Sequence, residues 1–413
     1  MSGPDWLAAL FLLTQTDTSL FLMPALFAGL LTAWLIISPI PAILLSATDE
    51  QSCLMTAPGQ TLVREGQGLE AIKLVGAGSM IGLLMLALLL PLAAPFLTTL
   101  HRTLAPHLNW ILWSAVLFLA LGERPRSAPT ALSNWNRITY TMAPVLAGLA
   151  TLLLSGLLGL ILFHRSPLPL TVSFMNFIPA IIGLFSAPGL LMHVCAPICP
   201  RGSAGTPHPT KTQEMTQDAA RRPCRVVLGE FFHATACGTL SGMITALIPA
   251  LTGSVGALLT QHLVGTRNPR TQLVAQGITR MLYYGAGLLL LFLPGTPRIR
   301  SSSAALLRTF YEPIPAQVWL MATVITFSAI SAWLILPVCA KGLMQMIERH
   351  GTRLPSVLAL SGILVFVVVT TSLPGLLILL TATGIGMLPV LFQARPIQGI
   401  GLVLIPLAYA LTQ

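Results

Sequence analysis

Charge is what this 413-residue chain has least of: Asp, Glu, Lys and Arg together make up 8% of it. A soluble domain carries about a quarter charged residues, so no water-facing surface can be built from this composition. Acidic residues are the scarcer kind, 12 against 22 Lys and Arg. The excess of basic residues sits singly in short loops, which sets membrane topology and touches anionic lipid; it does not form a nucleic-acid surface, and no nucleic-acid partner is expected. Cysteine is sparse too, at Cys53, Cys195, Cys199, Cys224, Cys237 and Cys339. None of these has the paired spacing of a zinc module or a disulfide framework. The loosely spaced His193, Cys195, Cys199 and His208 read as a juxtamembrane loop rather than as ligands, and no metal is expected. There is no G-x-S-x-G elbow, H-E-x-x-H pair, phosphate loop or dinucleotide fingerprint, so an enzymatic reading has no motif to rest on. The opening MSGPDWLAALFLL lacks the basic n-region and cleavage site of a removable signal peptide.

What is present is apolar length. Hydrophobic residues make up 54% and the mean hydropathy is +0.82. Windows such as 74–100, 139–163 and 355–391 exceed the roughly 20 apolar residues that cross a bilayer core. About ten such segments are expected, in an all-α, polytopic transmembrane protein. Prolines and glycines punctuate them. The SPIP tetrad at 38–41 marks a helix break; Pro91 and Pro95 bend a span running from 74 to 100; Pro179 and Pro188-Gly189 interrupt 168–194. Ser155, Gly156 and Gly159 in the span 138–163 let a second helix approach closely. Further spans are expected at 316–340, 355–372, 374–391 and 399–412.

One polar, glycine-punctuated run, SATDEQSCLMTAPGQTLVREGQGLEAIKLVGAGS (46–79), stands between long apolar segments and holds Asp49, Glu50, Glu65 and Glu70. Irregular polar backbone at membrane depth is tolerated only where it is buried in protein or lines a cavity, so such breaks mark transport sites. The basic stretch 195–225 reads as a cytoplasmic linker and divides the chain into two membrane repeats, 1–194 and 226–413. In the second repeat, residues 228–261 carry Gly238, Gly242, Pro249, Gly253 and Gly256 and read as a broken or re-entrant helix pair. A loop is expected at 265–280. The stretch 283–310, an apolar helix ending in a Gly/Pro turn, looks like the counterpart of the first polar run.

Candidate site residues follow from this pattern. Asp49 and Glu50 either bind a coupling sodium ion or proton, or cap the next helix from an interfacial loop. Ser46, Thr48 and Ser52 are cavity-lining hydroxyls, with Pro58 and Gly59 in the same run. Pro249, Gly253 and Ser254 mark the second-half break. Beyond them, Pro294, Gly295, Arg298, Arg300 and Ser301 form a turn whose guanidinium groups either hold an anion in a bidentate fork or set topology. Glu230 and His233, three residues apart on one helical face, form either a proton relay or an interfacial salt bridge.

Four passages carry a family resemblance: ATDEQSCLMTAPGQTLVREGQGLEAIKL (47–74), FIPAIIGLFSAPGLL (177–191), GTLSGMITALIPALTGSVGALL (238–259) with LPGTPRIRSSSAAL (293–306), and GIGMLPVLFQARPIQGIGLVLIPLAYAL (384–411). In this order the chain resembles the large-permease (TctA) family of tripartite tricarboxylate transporters, nearest to its stand-alone archaeal branch. The resemblance implies two pseudo-symmetric repeats whose glycine-proline hairpins approach one another and frame a substrate pathway. It also implies import of carboxylates on a cation gradient with a small membrane subunit and an extracytoplasmic solute-binding protein. The chain departs from the pattern at Pro249-Ala250, where the family has Pro-Gly, and in its first hairpin, of which only SGPDWLAALFLL remains. The expectation is a multi-pass plasma-membrane permease for a small anionic solute, in contact with membrane lipids, with a homodimer left open by the sequence. A flippase-like handler of polyprenyl phosphate or phospholipid, and a non-transporting membrane subunit, are the alternatives.

Overall fold

The computed structural model describes residues 23–123, 134–164, 177–195, 228–248, 251–265, 268–293, 307, 311 and 313–412. Among these every regular element is helical. Helix α1 (Met23–Ile37) and α2 (Pro39–Leu44) are separated at Ser38, where the expected SPIP break falls. A short 3-10 turn (Cys53–Met55) leads into α3 (Thr56–Arg64), and α4 (Gly68–Leu104) then runs unbroken past Pro91 and Pro95. Helices α5 (Leu108–Leu121) and α6 (Asn134–His164) follow. Next come α7 (Phe177–Ile181), a π-turn at Ile182–Ser186 and α8 (Ala187–Cys195). The second half contributes α9 (Leu228–Leu247), α10 (Gly253–Val264), α11 (Pro269–Phe292), α12 (Val318–His350), α13 (Arg353–Phe392) and, after a 3-10 turn at Pro396–Ile400, α14 (Gly401–Ala410).

Six described segments are long and apolar enough to cross a membrane, and two more apolar helices, Leu108–Leu121 and Pro396–Ala410, are shorter. With α9 and α11 added, the set is consistent with the expected ten or so spans. Outward-facing residues agree: Leu84, Leu88, Leu92 and Phe96 form an exposed i, i+4 stripe on α4, and Trp319, Phe327, Leu334 and Val338 are exposed on α12. Such a surface suits lipid and not water. The expected boundary between spans 355–372 and 374–391 coincides with Ser372, whose φ of 55° breaks α13 just before Pro374.

One expectation is sharpened and another corrected. The span expected from 74 begins already at Gly68, so the second part of the polar run 46–79 is the first turns of α4. Its small residues serve packing. The loop expected at 265–280 is mostly α11: the Asn268 side chain accepts from Arg270 N, Pro269 takes the first helical position, and the helix proceeds from there. Helix α11 is the most enclosed element, with residues from Thr271 to Phe292 buried almost without interruption. Against α4 the backbones touch. A Cβ on Gly277 would stand 2.3 Å from Val75 O and 2.8 Å from Ser79 N, and one on Gly78 would stand 2.3 Å from Val274 O. Without a hydrophobic driving force between helices in lipid, such close backbone approach is what holds them together. The Gly156 and Gly159 pair does the same for α6 and α14, with Ile405 and Leu402 O lying where side chains would go.

The order of elements in the two halves is consistent with the expected repeats. In each, a helix breaks and a short helix follows (α3, α10). A turn with a left-handed glycine comes next (Gly66, φ 77°; Gly265, φ 70°), and then a long helix (α4, α11). The two turns lie side by side: Arg270 Nη2 donates to Gln67 Oε1 at 2.7 Å and its Nε lies 3.2 Å from Glu70 Oε1.

Two hydrophobic clusters result. One gathers α1 to α4 with α11 and α12, and the other gathers α5 to α7, α13 and α14 with Cys53, Leu251 and Val255. The polar segment 45–52 lies along their seam.

Candidate functional site

Depth comes first. Helix α3 has 9 residues and separates the segment 45–52 from the turn at Glu65–Gln67. At 1.5 Å per residue that is about 13 Å, close to half of a bilayer core about 30 Å thick. Thr279 and Arg280, ten and eleven residues into α11, lie at about 15 Å from its start by the same count. The segment 45–52 and the buried polar side chains of α11 thus stand at similar distances from the turns that Gln67 and Arg270 join.

Segment 45–52 is held by its own side chains and by the π-turn. Ser46 takes a left-handed conformation (φ 52°), and its backbone carbonyl lies 2.1 Å from where a Cβ on Gly189 would be. Pro188 has no N–H for the carbonyl four residues earlier, and the local π-turn frees others. Phe185 O accepts from Thr48 Oγ1 at 3.1 Å, and Ser186 Oγ donates to Thr48 O at 2.6 Å. The first-half break and the break in 177–195 are thereby laced together.

The two carboxylate oxygens of Asp49 stand in different surroundings. Oδ1 accepts from Ser52 N at 2.8 Å and from Ser52 Oγ, while Asp49 N donates to Ser52 Oγ at 2.9 Å. This reciprocal arrangement caps the turn at 49–52 that leads into the 3-10 turn. Oδ2 is buried and has no hydrogen-bond partner. Glu50 is buried at 3% exposure, and Gln51, at 1%, has both amide atoms buried without a partner. Gln51 points across to the second half: a Cβ on Gly253 would lie 2.4 Å from Gln51 Oε1. Only glycine at the start of α10 leaves room for that amide. Beside it Thr252 and Ser254 are buried and their hydroxyls lie 3.1 Å apart.

A cavity of about 190 Å³ opens here, with polar walls from Ser38, Thr48, Asp49, Ser52 and Ser186 and an indole wall from Trp34. Its size is below the roughly 300–1,000 Å³ of drug-sized pockets and suits a small solute. A larger cavity of about 330 Å³ lies between α4, α11 and α12, but its lining of Leu86, Leu90, Leu289 and Trp319 is almost wholly apolar.

The other candidates are placed as follows. Pro58 and Gly59 pack α3 on α2, with Ile43 against Gly59. The Glu230 carboxylate accepts from Asn268 Nδ2 at 3.0 Å, which ties the start of α9 to that of α11, and His233 is exposed. Pro249, Pro294, Gly295, Arg298, Arg300 and Ser301 lie outside the described residues, as does most of the stretch 293–310. Among the described residues no group of three or more His, Cys, Asp or Glu could hold a metal ion.

The site also contains a residue that sequence reasoning missed. Arg280 is 1% exposed; its Nη2 donates to Ser38 Oγ at 2.7 Å and its guanidinium lies 5.4 Å from the Trp34 ring centre. Both partners line the cavity. The available signal was Asn268-Pro269, a cap followed by proline at the first helical position, which turns an apparent loop into a helix carrying Arg280 to mid-membrane.

Outside the spans, Glu123 follows α5, and its carboxylate accepts from Arg395 N at 3.2 Å and from Gln398 Nε2 at 3.4 Å. Burial pushes its carboxyl up, opposed by Gln398 and Arg395. It ties α5 to the turn before α14 and lies away from the cavity walls.

In comparisons with known proteins, the family model described as the tripartite tricarboxylate transporter TctA family matches residues 3–401. No curated protein and no solved structure matches the chain.

Proposed function

Since the chain belongs to the tripartite tricarboxylate transporter TctA family, and is thus a membrane component of tricarboxylate transport, we propose that it carries a small carboxylate anion across the plasma membrane through the mid-membrane cavity. The observation that carries this reading is the meeting of two helix breaks, at 45–52 and 182–186, on one small cavity edged with hydroxyls and the Asp49 carboxylate. Transporters built from repeats bind solute at such a midplane junction and expose it by rocking one packed body against another. The seam between the two hydrophobic clusters is the natural place for that motion.

A sodium or proton gradient drives the cycle in this proposal. Asp49 is the coupling residue, because its Oδ2 is buried and unpartnered among the described residues, in a cavity wall shared with Thr48 and Ser52. A buried carboxylate at this depth is stabilised by a bound cation or proton. A small membrane subunit and a solute-binding protein are the partners that the family's tripartite organisation suggests, with membrane lipid around the spans.

The test is uptake of labelled citrate by proteoliposomes containing the purified chain. Accumulation above equilibrium under an inward sodium or proton gradient, abolished by the matching ionophore, is the expected result. Lipid scrambling without any citrate uptake would favour the flippase-like alternative instead.

A further inference from the structure

A guanidinium group buried at mid-membrane demands a counterpart. Arg280 is 1% exposed, and its Nε and Nη1 are buried without a hydrogen-bond partner. Among the described residues no carboxylate lies within ion-pairing distance of it; the nearby Arg270 has one in Glu70. Charged residues at bilayer depth face the bundle interior, pair with something, and mark the solute path.

Arg280 is also held in a fixed pose. The Trp34 ring lies under the guanidinium at 5.4 Å, and one N–H of Nη2 is taken by Ser38 Oγ at 2.7 Å. A guanidinium has five N–H donors arranged as two two-pronged edges, one made by Nε and Nη2 and the other by Nη1 and Nη2. Ser38 occupies a single N–H of Nη2, so one complete edge remains whichever N–H it takes. A free two-pronged edge matches the two oxygens of a carboxylate. The residues that fix this pose, Trp34 and Ser38, are themselves cavity walls.

We infer that Arg280, braced by Trp34 and Ser38, is the anion-recognition residue of the permease and takes one carboxylate of the solute in a bidentate fork. The inference rests on the proposed carboxylate function and adds to it the residue that selects charge and geometry. In this arrangement the substrate carboxylate and the coupling cation share one small cavity, Arg280 reaching it at the walls made by Ser38 and Trp34 and Asp49 being a wall residue itself.

Trp34 provides a readout that needs neither transport nor partner subunits. Citrate titrated into the full chain in detergent micelles is expected to change indole emission saturably, and Trp34→Phe removes the change. Arg280→Gln is expected to weaken citrate binding roughly 10- to 100-fold, the effect of losing a charge-assisted pair. Arg280→Lys keeps the charge without the fork and is expected to lose roughly tenfold. If Arg280→Gln fails to give a monodisperse protein, Arg280→Lys decides by itself. Either variant binding citrate with wild-type affinity overturns the inference while leaving the carboxylate function standing. A wild-type response to inorganic phosphate but not to citrate overturns both.

Discussion

Gly277→Val is expected to abolish the folded permease, with no monodisperse peak on size-exclusion chromatography in detergent, whereas Gly384→Ala is expected to purify like the wild type. The contrast is steric. A Cβ at position 277 meets backbone on the facing helix, Val75 O at 2.3 Å and Ser79 N at 2.8 Å, while one at 384 meets nothing within 4 Å. Side chains can rotate away from an intruding methyl, but backbone moves only with its whole helix. Overpacking a well-packed core costs roughly 1–3 kcal/mol even where side chains can yield. Here α4 and α11 must separate, and the same seam carries Ser79, Gln276, Thr279 and Arg280, all buried at the level of the cavity. Loss of this contact removes the solute site along with the packing. Gly384→Ala instead removes a flexible residue from a helix interior, which is favourable by roughly 1 kcal/mol. A Gly277→Val protein with wild-type melting temperature and elution would show that the two helices do not meet as described.

The second large effect concerns Asp49, and two substitutions separate its two jobs. Asn caps a helix as well as Asp does, so Asp49→Asn is expected to keep the Ser52 cap and the wild-type melting temperature. It loses the charge on Oδ2. Gradient-driven citrate accumulation is then expected to fall by roughly 10- to 100-fold, the usual consequence of removing a charged ligand worth about 1.5–3 kcal/mol. Exchange of citrate across the membrane without a gradient is expected to persist. Asp49→Ala removes both functions, adding a loss of about 1 kcal/mol in stability for the missing cap. If Asp49→Asn accumulates citrate like the wild type and only Asp49→Ala is impaired, Asp49 is a cap and the coupling group lies elsewhere.

These residues also show how far the sequence could be read. The helix breaks were legible because proline and glycine act locally: SPIP at 38–41 marks the interruption at Ser38, Pro188-Gly189 follow the π-turn, and 228–261 divides into two helices, although Gly238 and Gly242 within it serve packing instead. Membrane class was legible because composition alone excludes a soluble surface. The polar segment around Asp49 stood out against apolar neighbours for the same reason. What hydropathy could not supply was the partner of each polar group. In α11, Thr271, Gln276, Thr279 and Arg280 look like loop residues by composition, yet they are buried by α4, α9 and the seam. A polar residue is compatible with a membrane helix when protein, not lipid, surrounds it. The glycines and serine of 76–82, expected within the span 74–100, prove to be the face of that helix that meets α11. The anion site was therefore sought at Arg298 and Arg300, beyond the described residues, while Arg280 beside Trp34 escaped notice. Gln51 escaped as well, because its role depends on Gly253, some two hundred positions away.

The central claim is one of location: solute binds where the breaks at 45–52 and 182–186 meet. Determining the structure of the full chain with citrate tests it most directly. The account predicts anion density in the cavity bounded by Trp34, Ser38, Thr48, Asp49 and Ser186, with one carboxylate against Arg280. Citrate density elsewhere in the chain, with this cavity empty, would contradict it.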